Sequence, residues 1–122
     1  MPNKILIVDD EWEVVEFMQR FLSRRGFKVI GVKSGKEAFS VYKKEKPNLV
    51  FLDITMPDAD GVSILKKIKK FDNEARVVML TSKTSQQVRK ETEKYGVWDY
   101  LTKPVELSQV DDIINNLFTS TG

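Results

Sequence analysis

The chain contains no cysteine and no histidine, only four prolines, and no long apolar run. Without cysteine there can be no disulfide, thiolate metal site or thiol nucleophile. Without histidine there can be no histidine-based triad, no zincin-type metal site and no phosphohistidine within the chain. Chemistry is left to carboxylates, hydroxyls and lysine, whose natural inorganic partner is a hard cation such as Mg²⁺. No stretch approaches the roughly 20 apolar residues that span a bilayer. The N-terminus runs almost directly into a strand, so no secretory leader is expected, and a cytoplasmic location is. A net charge of +2 gives no electrostatic case for direct nucleic-acid or membrane binding. The lysines from Lys66 to Lys70, with Arg76, read as the solvated side of a helix and its exit. With 41% hydrophobic and 31% charged residues over 122 positions, the balance is that of one globular domain with a true core. The expectation is a single domain over residues 1–122 with no effector domain.

Strand and helix patterns alternate along the chain. Apolar runs at Ile5 to Val8, Lys28 to Val32, Leu49 to Leu52, Val77 to Leu80 and Trp98 to Leu101 read as strands. The first helix spans about Glu11 to Arg25, with Val14, Phe17, Met18, Phe21 and Leu22 as its apolar stripe. Val15 and Trp12 fall at the margin of that stripe, Val15 partly buried and Trp12 exposed. Gly26 is placed to end the helix. Ser34 and Glu37 form a capping-box signature for a second helix, stopped by Pro47. Val62, Leu65 and Ile68 mark a third helix. Gln86 to Tyr95, before Gly96, is a polar fourth helix with only Val88 and Tyr95 as apolar anchors. Helices draw most of their stability from an apolar face, so the fourth is expected to be the least firmly docked. Leu107 to Phe118 is the last. Five βα units with near-continuous apolar strands predict an α/β fold: one doubly wound, five-stranded parallel sheet with helices on both faces. In the flavodoxin-like order 2-1-3-4-5, ligands bind outside the carboxyl ends of the first and third strands.

Those two strands end in acid, at Asp9 and Asp10 and at Asp53. A buried carboxylate is costly unless a cation meets it. Carboxylates about 4 Å apart repel by about 1–4 kcal/mol at surface-like dielectrics, a repulsion that a divalent ion relieves. The fourth strand ends in Thr81, and Lys103 follows the fifth. A hydroxyl and an ammonium thus face the acids, a set suited to a phosphoryl group. One carboxylate can then attack phosphorus to form an acyl phosphate. Taken singly, Asp9-Asp10 could cap a helix, Thr81 could start one, Lys103-Pro104 could be a surface loop and Tyr100 ordinary strand packing. Pro104 also permits a cis bond that would aim Lys103 inward.

The motifs Ile7-Val8-Asp9-Asp10, Leu52-Asp53-Ile54-Thr55-Met56-Pro57, Asp60-Gly61, Leu80-Thr81-Ser82 and Tyr100-Leu101-Thr102-Lys103-Pro104 resemble those of response-regulator receiver domains of two-component systems. The resemblance covers essentially the whole chain. It implies that Asp53 accepts the phosphoryl group from a histidine kinase or phosphotransfer protein. It implies that Asp10, Asp53 and the Thr55 carbonyl ligate Mg²⁺, with Asp9 acting through water. Lys103 would pair with Asp53 at rest and with the phosphoryl oxygens afterwards. Thr81 and Tyr100 would form the switch, displayed on the face of the fourth helix, fifth strand and fifth helix. A donor would approach along the first helix, and Trp12 fluorescence would report metal binding. Such a domain catalyses only its own phosphorylation and dephosphorylation. It acts as a monomer or a weak phosphorylation-dependent dimer, on an output partner that the sequence does not name.

Other readings fit less well. A haloacid-dehalogenase-type phosphatase needs a second aspartate two residues past the nucleophile, where this chain has Thr55. A flavodoxin-like FMN carrier needs a hydroxyl- and glycine-rich phosphate loop, where Asp9-Asp10-Glu11 carries the wrong charge. A receiver-like module that is never phosphorylated would not need the intact acid, threonine and lysine set. Ala59, Ser82, Val97 and Val105 depart from the residues usual at their places in the family. Thr55 and Lys83 occupy the two positions that tune phosphate lifetime in the family. Neither is an acid or carboxamide able to orient water, so slow hydrolysis of the acyl phosphate is expected. Loss of the phosphoryl group followed by intact mass checks this, and a half-life of seconds contradicts it.

Overall fold

A computed structural model describes residues 3–56, 59–81 and 86–118. Five parallel strands, β1 (Lys4–Val8), β2 (Lys28–Val32), β3 (Leu49–Asp53), β4 (Val77–Thr81) and β5 (Asp99–Thr102), form one sheet in the order β2-β1-β3-β4-β5. The connecting helices are α1 (Trp12–Arg24), α2 (Gly35–Glu45), α3 (Gly61–Phe71), α4 (Gln86–Glu93) and α5 (Leu107–Phe118). A two-residue antiparallel ladder, Thr55–Met56 against Ala59–Asp60, follows β3. The expected fold and strand order are present. Among the described residues no helix is long and apolar enough to cross a membrane.

Successive strand residues point to opposite faces, and both faces are covered, hence the unbroken apolar runs. Ile5, Ile7, Phe51, Val78 and Leu80 pack against α1 and α5, where Val110, Ile113, Ile114 and Leu117 supply the buried side of α5. Leu6, Val8, Val50, Leu52 and Met79 pack against Ala38 and Tyr42 of α2 and Ile64, Leu65 and Ile68 of α3.

Local chemistry sets the helix ends. Gly26, at φ +90°, ends α1 in a two-bond cap: the Gly26 N–H donates to the Ser23 carbonyl at 3.0 Å, and the Phe27 N–H to Leu22 at 3.2 Å. The Ser34 hydroxyl caps α2, accepting from the Lys36 amide at 3.2 Å. The Glu37 amide instead donates to the Ser34 carbonyl. Lys46 turns left-handed (φ 47°) ahead of Pro47. Asp60 caps α3 by accepting from the Val62 amide at 3.0 Å.

Two sequence expectations are corrected. The buried stripe of α1 is rotated: Val15 is completely buried, while Phe17 is 46% exposed. The cause is Gly31 on β2, where a Cβ would stand only 2.6 Å from Val15 Cγ1. The missing side chain lets α1 settle onto β2 and draw Val15 inward. Trp12 is exposed, as expected, with the Lys33 ammonium 4.9 Å above its ring. Several ends also shift: β5 begins at Asp99 rather than at the exposed Trp98, and α4 stops at Glu93 rather than Tyr95.

Gly61, the first residue of α3, donates its amide to the Ile54 carbonyl at 2.9 Å. A Cβ there would strike the backbone carbonyl of Asp53 and stand 2.7 Å from Ile54 Cα. Backbone cannot rotate away as a side chain can, so Gly61→Ala must displace the end of β3. We expect a loss of about 1–3 kcal/mol in urea unfolding. An unchanged midpoint would show that this loop gives way freely.

Candidate functional site: an acidic cluster closed by one lysine

The carboxyl ends of the strands are tied to one another by main-chain bonds. The Asp9 amide donates to Val32 at 3.1 Å, the Ile54 amide to Leu80 at 2.9 Å and the Lys103 amide to Thr81 at 2.7 Å. These bonds carry Asp9, Asp53, Thr81 and Lys103 to one edge of the sheet. Asp9 and Asp53 are buried, whereas Asp10 is exposed. Each of the three offers a carboxylate oxygen, and those oxygens lie within 4.8 Å of one another. No other group of three or more acids among the described residues is so close.

Lys103 closes this cluster. Its Nζ lies 2.8 Å from Asp9 Oδ2, 2.7 Å from Glu11 Oε1 and 3.3 Å from Asp53 Oδ2. The expected pairing with Asp53 is present, but Asp9 and Glu11 are nearer. The Lys103–Pro104 peptide bond is cis. Burial alone would lower the Lys103 pKa, but the negative charge of Asp9 beside it, with Glu11 and Asp53, holds it above the ordinary lysine value. The Asp9 and Glu11 contacts differ in worth. The Lys103 and Asp9 side chains are 12% and 0% exposed, so their attraction is little screened, whereas Glu11 is 59% exposed and contributes little.

The donor set fits a divalent cation. Three carboxylates against one ammonium leave net negative charge. Asp9 Oδ2 is buried with no well-aligned hydrogen-bond donor, its contact to Lys103 being ionic. Oxygen ligands of this kind suit a hard ion. Asp9 Oδ1 is already engaged by the Glu11 amide at 2.9 Å. Thr55, the expected backbone ligand, lies in the short ladder just past Asp53. Ser82, Lys83 and Pro57 lie outside the described residues.

A family model for the response regulator receiver domain matches residues 5–115. The chain is 35% identical over 116 residues to chemotaxis protein CheY of Bacillus subtilis, covering 94% of this chain and 97% of that protein. It is 30% identical over 114 residues to sporulation initiation phosphotransferase F of the same organism, covering 93% and 92%. CheY in a CheX–CheY–BeF3–Mg²⁺ crystal structure from Borrelia burgdorferi superposes with a TM-score of 0.90 at 32% identity, over 97% of this chain and 90% of that one.

This chain belongs to the response regulator receiver domain family.

A receiver is the signalling domain of a two-component system, and the aspartate cluster is its candidate phosphorylation site. Thr81 is half-buried at the end of β4, in register with Thr102. Tyr100 is tied to α4: its hydroxyl lies 2.6 Å from Thr92 Oγ1 and donates to the Arg89 carbonyl at 3.3 Å. The Arg89 guanidinium stands 4.7 Å above the tyrosine ring. Two neighbours of the site escape the sequence reading. Glu11 is hidden because it looks like one more acid at a helix start, although its place next to Asp9-Asp10 was a signal. Thr92 is hidden because no pattern distinguishes a buried threonine in a polar helix. Among the described residues it is the only fully buried polar side chain outside the acidic cluster.

Because the Lys103 pKa lies above its unfolded value, the stability it brings is fully present below the unfolded value and is lost only as pH rises through the folded one, far into alkali. At neutral pH, Lys103→Met strands Asp9 and Asp53 without their cation. In chelator we expect a loss of about 3 kcal/mol by urea unfolding, part of which excess Mg²⁺ restores. A loss below about 0.5 kcal/mol would mean that water already screens these charges.

Proposed function

We propose that Asp53 accepts a phosphoryl group from a phosphohistidine on a histidine kinase or phosphotransfer protein, in a Mg²⁺-dependent reaction. The observation that carries this is the placement of Asp53: buried, within reach of two further carboxylates and 3.3 Å from Lys103. A carboxylate oxygen of Asp53 attacks phosphorus and the P–N bond of the donor breaks, its electron pair passing to the imidazole nitrogen. The product is an acyl phosphate on Asp53. These 122 residues contain no histidine, so the phosphohistidine lies outside them. Asp9, Asp10, Asp53 and the Thr55 carbonyl would hold Mg²⁺. When bound, that ion neutralises charge on the phosphoryl oxygens. Lys103 and Thr81 bond the phosphoryl group from the other side.

The domain is a signalling module that acts on no phosphate but its own. A groove of about 630 Å³ between α1 and the β5–α5 loop, lined by Val14, Phe17, Pro104 and Val105, runs to Lys103 and supports donor approach along α1. In the resting arrangement Tyr100 is held to α4 by Thr92 and Arg89. Movement of Thr81 toward the phosphoryl group makes room for the ring, and its inward turn breaks those bonds. The α4–β5–α5 face then changes, biased by a local charge event. Residues 1–122 act as one domain, a monomer or weak phosphorylation-dependent dimer, on an output partner that reads this face.

Incubation with Mg²⁺ and acetyl phosphate should add one phosphoryl group by intact mass, and chelation should abolish the gain. The proposal fails if the chain gains none, or if Asp53→Asn gains as much.

A further inference from the structure

We infer that the α2–α3 face is a second docking surface, for an acidic amphipathic segment of another protein, and that it works independently of phosphorylation. Phe71, the last residue of α3, is 51% exposed. Its ring meets Phe39 of α2 edge-on, centroids 5.9 Å apart, and Tyr42 at 6.4 Å. With Tyr42 buried against Phe71, that ring and the half-buried Phe39 reach the surface as one aromatic edge. A groove of about 380 Å³ opens on it, lined by Phe39, Lys67, Lys70 and Phe71.

The charged residues lining the groove are lysines, while Asp72, just past Phe71, accepts from the Tyr42 hydroxyl at 3.0 Å. Helix α3 carries four lysines and no acid. Two of the four are occupied: Lys69 donates to the Asn73 and Ala75 carbonyls at 2.8 Å, and Lys66 stands over the Tyr95 ring. Lys67 and Lys70 make no ion pair among the described residues and line the groove instead. On the α2 side the Lys43 ammonium lies 4.6 Å from the Phe39 ring centre. An occupant that satisfies this surface brings an apolar side chain for the ring edges and carboxylates for the flanking ammonium groups. A glutamate-rich amphipathic helix has both.

Location separates this surface from the switch. Helix α3 begins at Gly61 beside Asp53 and runs 11 residues, so Phe71 lies about 15 Å along the axis from the phosphorylation site. Neither α2 nor α3 contributes to the α4–β5–α5 face. Docking here can hold a receiver near a partner whatever its phosphorylation state.

The probe is a synthetic glutamate-rich peptide with leucines at helical spacing, titrated into the ¹⁵N-labelled chain. Amide shifts should concentrate at Phe39, Lys43, Lys67, Lys70 and Phe71. Phe71→Ala should weaken binding by about tenfold, as expected for an aromatic anchor. The double variant Lys67→Glu, Lys70→Glu alters only exposed side chains and should abolish binding. Asp53→Asn should bind as the unaltered chain does. Shifts elsewhere, unaltered binding by the variants, or equal binding of a lysine-rich peptide with the same leucines would each overturn the inference. So would preference for phosphatidylserine vesicles or duplex DNA, which would reassign the patch to a membrane or nucleic acid. Because Asp53→Asn keeps this site, failure here is separable from failure of phosphorylation.

Discussion

The ammonium of Lys103 among Asp9, Glu11 and Asp53 is the interaction on which the rest of this structure depends. Two aspartates are buried at neighbouring strand ends, where an unpaired carboxylate would cost several kcal/mol. One lysine offsets part of that cost, yet it cannot balance three acids. The site is left with a deficit of positive charge that a divalent ion fits. An incoming phosphoryl group then brings further negative charge, which the same lysine can follow. The resting pairing and the proposed chemistry therefore use one set of charges in two arrangements. That economy explains why the set is assembled from main-chain bonds between strand ends, which move little.

The fold does the assembling, and it is legible because its strands are covered on both faces. Unbroken apolar runs ending in Asp9, Asp53 and Thr81 are readable without coordinates, and so are a parallel sheet and a ligand edge at the reversal of winding. The less legible features depend on contacts between elements. Helical periodicity placed Phe17 inside and left Val15 at the margin. Gly31, a residue on another element, reverses the two by letting α1 approach β2. A pattern read along one helix cannot see a missing Cβ on the strand beneath it. The same holds for Lys103. Its pairing with Asp53 is implied by the family resemblance, but its closer contacts with Asp9 and Glu11 depend on how the chain turns after Val8.

Helix α4 joins the two themes. Its sequence is polar, and a weakly docked helix was the expectation. The described side chains add a specific anchor: a buried threonine hydroxyl holding the Tyr100 hydroxyl at 2.6 Å. Thr92 Oγ1 also donates to the Arg89 carbonyl at 3.4 Å, so it keeps a partner when Tyr100 leaves, and the Tyr100 bond is a tie worth about 1 kcal/mol net. A helix of polar sequence, tied through the Tyr100 hydroxyl to Thr92 and the Arg89 carbonyl, is suited to two discrete positions rather than gradual drift.

The distribution of exposed aromatic residues follows from the same division of labour. Trp12 and Phe17 lie on α1, which borders the acidic edge, and Phe71 ends α3 at the opposite end of the sheet. Rings near Lys103 would serve the proposed exchange of phosphate, because a donor docked there would have to bring its imidazole within bonding distance of Asp53. Rings at Phe39 and Phe71 cannot, since the length of α3 intervenes. Their lysine-flanked platform is explained by an attachment that the state of Asp53 does not govern. Separating attachment from switching in this way would let the proposed phosphorylation alter what the domain presents without releasing it from where it is held.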